Sequence, residues 1–238
     1  MPRLSDLPAP PSGKTGWPWT TAPDDETLEM AAPPGGWPSL SIVTPSYNQV
    51  EFVEAAIRSV LLQDYPNLQY IVRDGGSTDG SVDVIKKYEP WIDIFISEPD
   101  DGQSDAINKG LRQVEGDLWA YFNSDDLYMP HTFRTVADVF ARNEDVRWVT
   151  GTGAYFRGTP DQIVQRMTPV SDMSIVRAMT PWQETDGVVA SQVANIMRTD
   201  VLTEYGLFDT SLHYAMDFDY GLRLLVDGVR PYVVDEVL

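Results

Sequence analysis

The decapeptide YFNSDDLYMP, Tyr121 to Pro130, runs from an aromatic stretch into two adjacent carboxylates, Asp125 and Asp126, and closes on a proline at the start of a helical pattern. Neighbouring like charges repel, and a plain turn is made as well by Asn-Gly or Pro-Asp, so the doublet points to a positive partner. An acid at a strand end suits a hard divalent ion, Mg²⁺ or Mn²⁺, which needs few protein oxygens when a diphosphate supplies the rest. The plainer alternative is an acidic turn favoured by the dipole of the next helix. Asp74, in RDGGSTDG, also ends an apolar run and is placed to accept hydrogen bonds from a base or ribose. Its loop equally reads as a helix cap built from Gly75, Gly76, Ser77 and Thr78. Far downstream, Asp217 opens the helical stretch DFDYGLRLLVDG, where Asp219 makes one of the two acids redundant for capping.

These acids need a scaffold, and the pattern from Leu40 onward supplies one. LSIVT reads as a buried strand, and VEFVEAAIRSVLLQ as a helix with Phe52, Ala56, Ile57, Val60 and Leu61 on one face. QYIVR, WIDIFIS, LWAYF and VRWVT follow as strands, alternating with helices in SVDVIKKY, SDAINKGLRQV and a segment from about Pro130 to Arg142. VANIMR reads as a strand, TDVLTEYG as a short helix, and PYVVDEVL as an apolar strand that suggests a domain cut from a longer protein. Alternation at this spacing implies an α/β fold with a mostly parallel sheet and helices on both faces. Ligands of such sheets bind beyond the strands' carboxyl ends. There the chain places TPSYN, RDGGSTDG, SEPDDGQSD and NSDD, so one rim collects the unusual chemistry.

Composition narrows the classes. Seventeen Lys and Arg against 36 Asp and Glu give the 238-residue chain a formal charge of −19, which repels nucleic acid and anionic lipid. There is no cysteine, which removes disulfides and thiolate chemistry and fits a cytoplasmic setting, and only two histidines. No apolar run approaches the ~18 residues of a membrane span. GTGAYFRG lacks the third glycine and the helix of a dinucleotide fingerprint, and no P-loop motif occurs. Residues 1–38, rich in proline and carrying Gly16-Trp17-Pro18-Trp19, form a leader for which a mobile tail and a docked strap both stand open.

Taken in order, TPSYN, DGGSTDG, GQSDAINKG, NSDDLYMP and HYAMDFDYGLRL resemble glycosyltransferase family 2 of the GT-A fold, from about Leu40 to the C-terminus. The resemblance implies a Rossmann-like domain over residues 39–238, with a nucleotide-binding half at 39–126 and a smaller acceptor-side half at 127–238. It implies an enzyme that moves a sugar, with inversion, from a UDP-, GDP- or dTDP-linked donor to a glycan, lipid or protein acceptor. Carried over by position, Thr44, Pro45, Tyr47, Asp74, Gln103, Ser104 and Ser124 border the nucleotide. Asp125 and Asp126 face Mn²⁺ or Mg²⁺, with His213 a further candidate for metal or diphosphate, and Asp217 is the general base. Gln192 falls on the sugar, and Trp182 is a candidate acceptor platform. Two positions depart from the family pattern: Asn123 replaces the first acid of D-x-D, and Ile107 stands where many relatives carry arginine.

The division of labour also follows from the chemistry. Expelling a nucleoside diphosphate builds charge on the leaving phosphate, which a divalent ion stabilises, and the attacking hydroxyl loses its proton on the opposite face of the sugar. The chain lacks the Q-x-x-R-W motif of processive synthases, so one sugar per encounter is expected. A sugar nucleotidyltransferase and a nucleotide-sugar-binding module without turnover are the rival readings; Asn123 and Ile107 favour the latter.

Overall fold

A computed structural model describes residues 1–23, 32–33, 35–169 and 192–238. Within these the chain forms β1 (Leu40–Ser46), α1 (Val53–Leu61), β2 (Leu68–Asp74), α2 (Ser81–Lys86), β3 (Ile94–Ser97), α3 (Gln103–Leu111) and β4 (Leu118–Tyr121). It continues with α4 (Thr132–Arg142), β5 (Trp148–Phe156), β6 (Ile163–Met167), β7 (Ile196–Arg198), α5 (Thr199–Tyr205), α6 (Met216–Val226) and β8 (Tyr232–Val237). The sheet order is β3-β2-β1-β4-β7-β5-β6, with β8 on β5. Strands β1 to β4 are mutually parallel. Strand β7 is antiparallel to both its neighbours, β6 is antiparallel to β5, and β8 is parallel to β5. The expected, mostly parallel sheet is therefore present, with an antiparallel patch in the second half.

All seven residues of β1 are buried, as a strand covered on both faces requires. Side chains alternate between the faces. Ile42, Tyr70, Val72, Ala120 and Phe122 pack with α1 and α4, whereas Val43, Ile71, Trp119 and Tyr121 pack with α3, α5 and α6. Ile107 on α3 lies wholly inside this second core, so the position read as a missing arginine is an apolar packing residue. Two local expectations are corrected. Phe52 precedes α1 and is 49% exposed, because the helix begins only at Val53. Helix α4 starts at Thr132 after a left-handed His131, so Pro130 lies outside its first turn. Strand β5 runs on through Gly151 and Gly153 to Phe156, leaving no turn for a dinucleotide loop.

The leader packs against the first core. Trp17 and Trp19 are each 8% exposed, and Leu7 and Trp17 join the cluster beneath α1. The anchor is Arg58 of α1, with no exposed surface, whose guanidinium donates to the carbonyls of Pro8, Pro18 and Trp19 at 2.9–3.1 Å and to the Tyr88 hydroxyl. The Tyr88 hydroxyl donates in turn to Glu54 Oε1 at 2.8 Å, which links the buried guanidinium to an acid. Trp17 Nε1 donates to the Tyr128 carbonyl at 2.9 Å, just beyond the Asp125–Asp126 doublet. Trp17→Ala is expected to cost about 3 kcal/mol and to lower the melting temperature by about 6–12 °C; an unchanged calorimetric melt would show that the leader contributes no stability.

Candidate functional site

Register brings the rim together. Pairing places Ser46 beside Asp74 and Asp74 beside Ser97, so the loops after β1, β2 and β3 leave the sheet at one level, while β4 ends lower, with Tyr121 beside Val43. Asp74 ties two of these loops, those after β2 and β3. Its carboxylate accepts from the Gly76 and Ser77 backbone N–H groups at 3.1 and 2.9 Å and from the Ser77 and Ser97 hydroxyls at 2.5 and 2.6 Å, and the residue is only 2% exposed. The loops after β1 and β2 are stitched further by Asn48 N–H to Ser77 Oγ, Thr78 N–H to Asn48 Oδ1 and Val50 N–H to Asp79. Burial works against the Asp79 charge, but the bonds from Ser81 and from the Val50 N–H prevail and hold its carboxyl below the usual range.

Between the loops lies a cleft of about 780 Å³ whose walls include Pro45, Ser46, Tyr47, Gly75, Gly76, Asp100, Gln103, Asn123, Ser124 and Asp125. A Cβ on Gly75 would lie 2.6 Å from Asp100 Oδ2, so only glycine lets these two loops approach so closely. No Lys or Arg is among the described lining residues. Lys109, on α3, is paired with Asp105 at 2.8 Å and reaches no further than the Pro99 carbonyl. The buried Ser46 hydroxyl, in the cleft wall, has no partner among the described residues.

Along the cleft's inner edge Gln103 Nε2 donates to Asn123 Oδ1 at 2.7 Å, and Asn123 Nδ2 donates to Gln192 Oε1 at 2.9 Å. Gln192 also lines a second pocket, of about 130 Å³, walled by Trp119, Tyr121, Trp148, Phe208 and Tyr220 and carrying Asp217 and the exposed Phe218. The α6 N-terminus has no side-chain cap; Asp219 pairs with Arg223 at 3.0 Å, while Asp217 is exposed. The Tyr121 phenol is pushed well above its usual pKa, first by burial and then by the charges of Asp217 and Asp126, so the acid of α6 and the acids after β4 act on one point.

The residues expected at the site thus separate. Pro45, Tyr47, Gln103, Ser124 and Asp125 line the cleft. Thr44 does not: it is fully buried, and its hydroxyl accepts from Tyr70 on the α1 side of the sheet. Asp74 orders the loops from beneath the cleft wall. Ser104 is buried and its hydroxyl meets Met216 Sδ at 3.1 Å, which ties α3 to the residue before Asp217. His213 is exposed and does not converge with Asp125 and Asp126, since no three His, Asp or Glu side chains do so among the described residues. Trp182 lies outside the described residues. Asp100, Ser46 and Tyr121 were missed; Asp100 was open to detection as the first aspartate of a rim loop already singled out.

The donor set suits a divalent ion bound jointly with a diphosphate. Asp125 is exposed at the cleft, Asp126 sits half-buried behind it, and neither enters an ion pair among the described residues. Burial, and then the Asp125 charge, push the Asp126 carboxyl up to about 6.

Comparison with known proteins agrees with this geometry. The architecture is the GT-A glycosyltransferase fold. It superposes on S. aureus TarS 1–349 in complex with UDP with a TM-score of 0.66 at 19% identity, over 84% of this chain and 59% of that one. For the mannosyltransferase PcManGT of Pyrobaculum calidifontis, in complex with GDP-Man and Mn²⁺, the TM-score is 0.63 at 19% identity, over 90% and 60%. The model of glycosyl transferase family 2 matches residues 41–206, and the chain belongs to that family. An uncharacterized glycosyltransferase of Mycobacterium tuberculosis is 27% identical over 78% of this chain and 68% of its own length. The putative teichuronic acid biosynthesis glycosyltransferase TuaG of Bacillus subtilis is 37% identical over 37% of this chain and 36% of its own. The chain thus spans about a third of TuaG and under two thirds of the two solved structures.

The raised Asp126 pKa has a definite sign. Its proton favours the folded state, so its contribution is most favourable below pH ~4 and is lost as pH rises to about 6, a cost on the order of 3 kcal/mol above that. Asp126→Asn in EDTA is therefore expected to melt several degrees above the parent at pH 7.5 and level with it near pH 4. Equal melting temperatures at pH 7.5 would contradict this.

Proposed function

We propose that the chain is the catalytic portion of an inverting glycosyltransferase that moves a sugar from a nucleoside diphosphate to an acceptor hydroxyl. The observation that carries this reading is the charge pattern of the cleft: acids and glycine-rich backbone without a basic side chain, in a chain of net charge −19. A dianionic diphosphate is repelled by such walls unless a divalent cation comes with it. Asp125, seconded by Asp126, would hold Mn²⁺ or Mg²⁺, and the ion would supply Lewis-acid stabilisation to the leaving diphosphate. The GDP-Man and Mn²⁺ bound by PcManGT, and the UDP bound by TarS, support a nucleotide sugar and a metal here.

The chain's own residues do the rest. Tyr47 and Pro45, with Gly75 and Gly76 opposite, form the flat walls that a base and ribose require. Gln103, Asn123 and Gln192 form a continuous hydrogen-bonded edge between the nucleotide cleft and the pocket beside Asp217, which fixes where the sugar crosses. Asp217 accepts the proton of the attacking hydroxyl. It enters no ion pair among the described residues, its Oδ1 accepts the Phe218 N–H at 2.8 Å while the other oxygen is left for a hydroxyl, and it approaches from α6 while the leaving group is held from the β4 side. Attack and departure on opposite faces give inversion. The likeness to TuaG, a putative teichuronic acid biosynthesis glycosyltransferase, supports a glycan acceptor.

Two measurements test the assignment. Titration calorimetry of UDP and GDP with Mn²⁺ and with EDTA is expected to show binding at least ten-fold tighter with the metal, a difference that Asp125→Ala removes; equal affinities would exclude a metal-borne diphosphate. Asp217→Asn is expected to lower transfer by at least ~10²-fold, the low end for loss of a general base, while nucleotide affinity in Mn²⁺ stays unchanged. Near-parental turnover, or an equal loss of donor affinity, would remove Asp217 from that role.

A further inference from the structure

Gly221 sits in the middle of α6, where glycine is, proline apart, the residue least favourable to a helix. Its backbone does not call for glycine, since its φ is not positive, and a Cβ there would meet only Trp148 Cη2, at 3.8 Å. Neither strain nor crowding accounts for it. What the missing side chain leaves is the pocket beside Asp217, of about 130 Å³, walled by Trp119, Trp148, Phe208, Tyr220 and Leu225. That volume is slightly below the ~150 Å³ of a cavity that holds benzene. Two groups that line it have no partner among the described residues, the Tyr220 hydroxyl and the Gln192 Nε2 atom, the latter because the bond from Asn123 fixes the amide with Oε1 toward the cleft.

Resting on the transferase reading, we propose that this pocket receives the acetamido group of a 2-acetamido-sugar. The group is small and planar. Its carbonyl oxygen accepts from Gln192 Nε2, the unmet donor at the end of the Gln103–Asn123–Gln192 edge, and its methyl fills the apolar space over Gly221 against Trp148 and Phe208. A plain hydroxyl at the same carbon would leave the aromatic walls unfilled. The Gln103–Asn123–Gln192 edge joins pocket and nucleotide cleft, and Asp217 stands in the pocket itself, so the acetamido group belongs either to the donor sugar or to the acceptor sugar.

The experiment separates these sources. In the donor arm, Mn²⁺-dependent binding of UDP-GlcNAc is compared with UDP-Glc, and dTDP-GlcNAc with dTDP-Glc. In the acceptor arm, saturation-transfer NMR compares methyl N-acetylglucosaminide with methyl glucoside on protein loaded with nucleotide and Mn²⁺. At least a ten-fold preference for the acetamido compound is expected in one arm, with the strongest saturation on its methyl group. Gly221→Leu, which fills the pocket, is expected to melt higher than the parent, keep its nucleotide affinity and lose the preference. Gln192→Glu keeps the bond from Asn123 but presents an acceptor to the carbonyl, and is expected to cut the preference about ten-fold. Nucleotide sugars that bind with no preference in either arm, or a preference that survives both variants, overturn the pocket assignment alone. Failure of every nucleotide sugar to bind overturns the transferase reading and this proposal with it.

Discussion

The ligand rim depends on one sealed carboxylate. Parallel pairing sets Ser46, Asp74 and Ser97 side by side, and Asp74 then holds a turn of its own loop and a hydroxyl of the next. A charged group excluded from water must be satisfied by its neighbours, and the neighbours that satisfy Asp74 are the residues that shape the cleft. Without it, four donors would lose their common acceptor and the loops after β2 and β3 their shared hinge point. The wall is rigid because its fixing charge lies beneath it rather than in it.

Charge is arranged on the same plan throughout. Buried arginines are answered by carbonyls or acids, as Arg58 is by the leader and Arg73 is by Glu98 at 2.6 Å. The acids that face the cleft and the neighbouring pocket, Asp125 and Asp217, have no cationic partner among the described residues. Such a surface repels anions in general, and under the proposed function it admits those that arrive with a counter-charge, which would be selectivity gained from net repulsion.

Much of the fold was legible because burial imposes a period. Alternation in Ile42, Val43 and Thr44, and again in Trp119, Ala120 and Tyr121, marks strands covered on both faces, and the strand ends then identify the rim. The same alternation assigns Thr44 to the face of Ile42, away from the cleft, and it was overridden there by resemblance of sequence. The roles of Asp74 and Ser104 were not legible: whether a rim hydroxyl or carboxylate faces a ligand or a neighbouring loop depends on contacts such as Ser97 to Asp74 and Ser104 to Met216, 23 and 112 residues apart. The leader's docking was left open for the same reason. An arginine in an amphipathic helix reads as surface, and only tertiary structure shows that Arg58 faces inward onto carbonyls about 40 to 50 residues earlier.

That anchor separates two boundaries usually treated as one. The family resemblance covers residues 41–206, yet α1 reaches its satisfied state only with residues 8, 18 and 19 in place, and the backbone after Asp126 is tied to Trp17. The unit that homology defines is therefore smaller than the unit that folds cooperatively. Amide protection in α1 and in the segment around Tyr128 should rise and fall with that of the leader, as a single exchange unit that crosses the edge of the family domain.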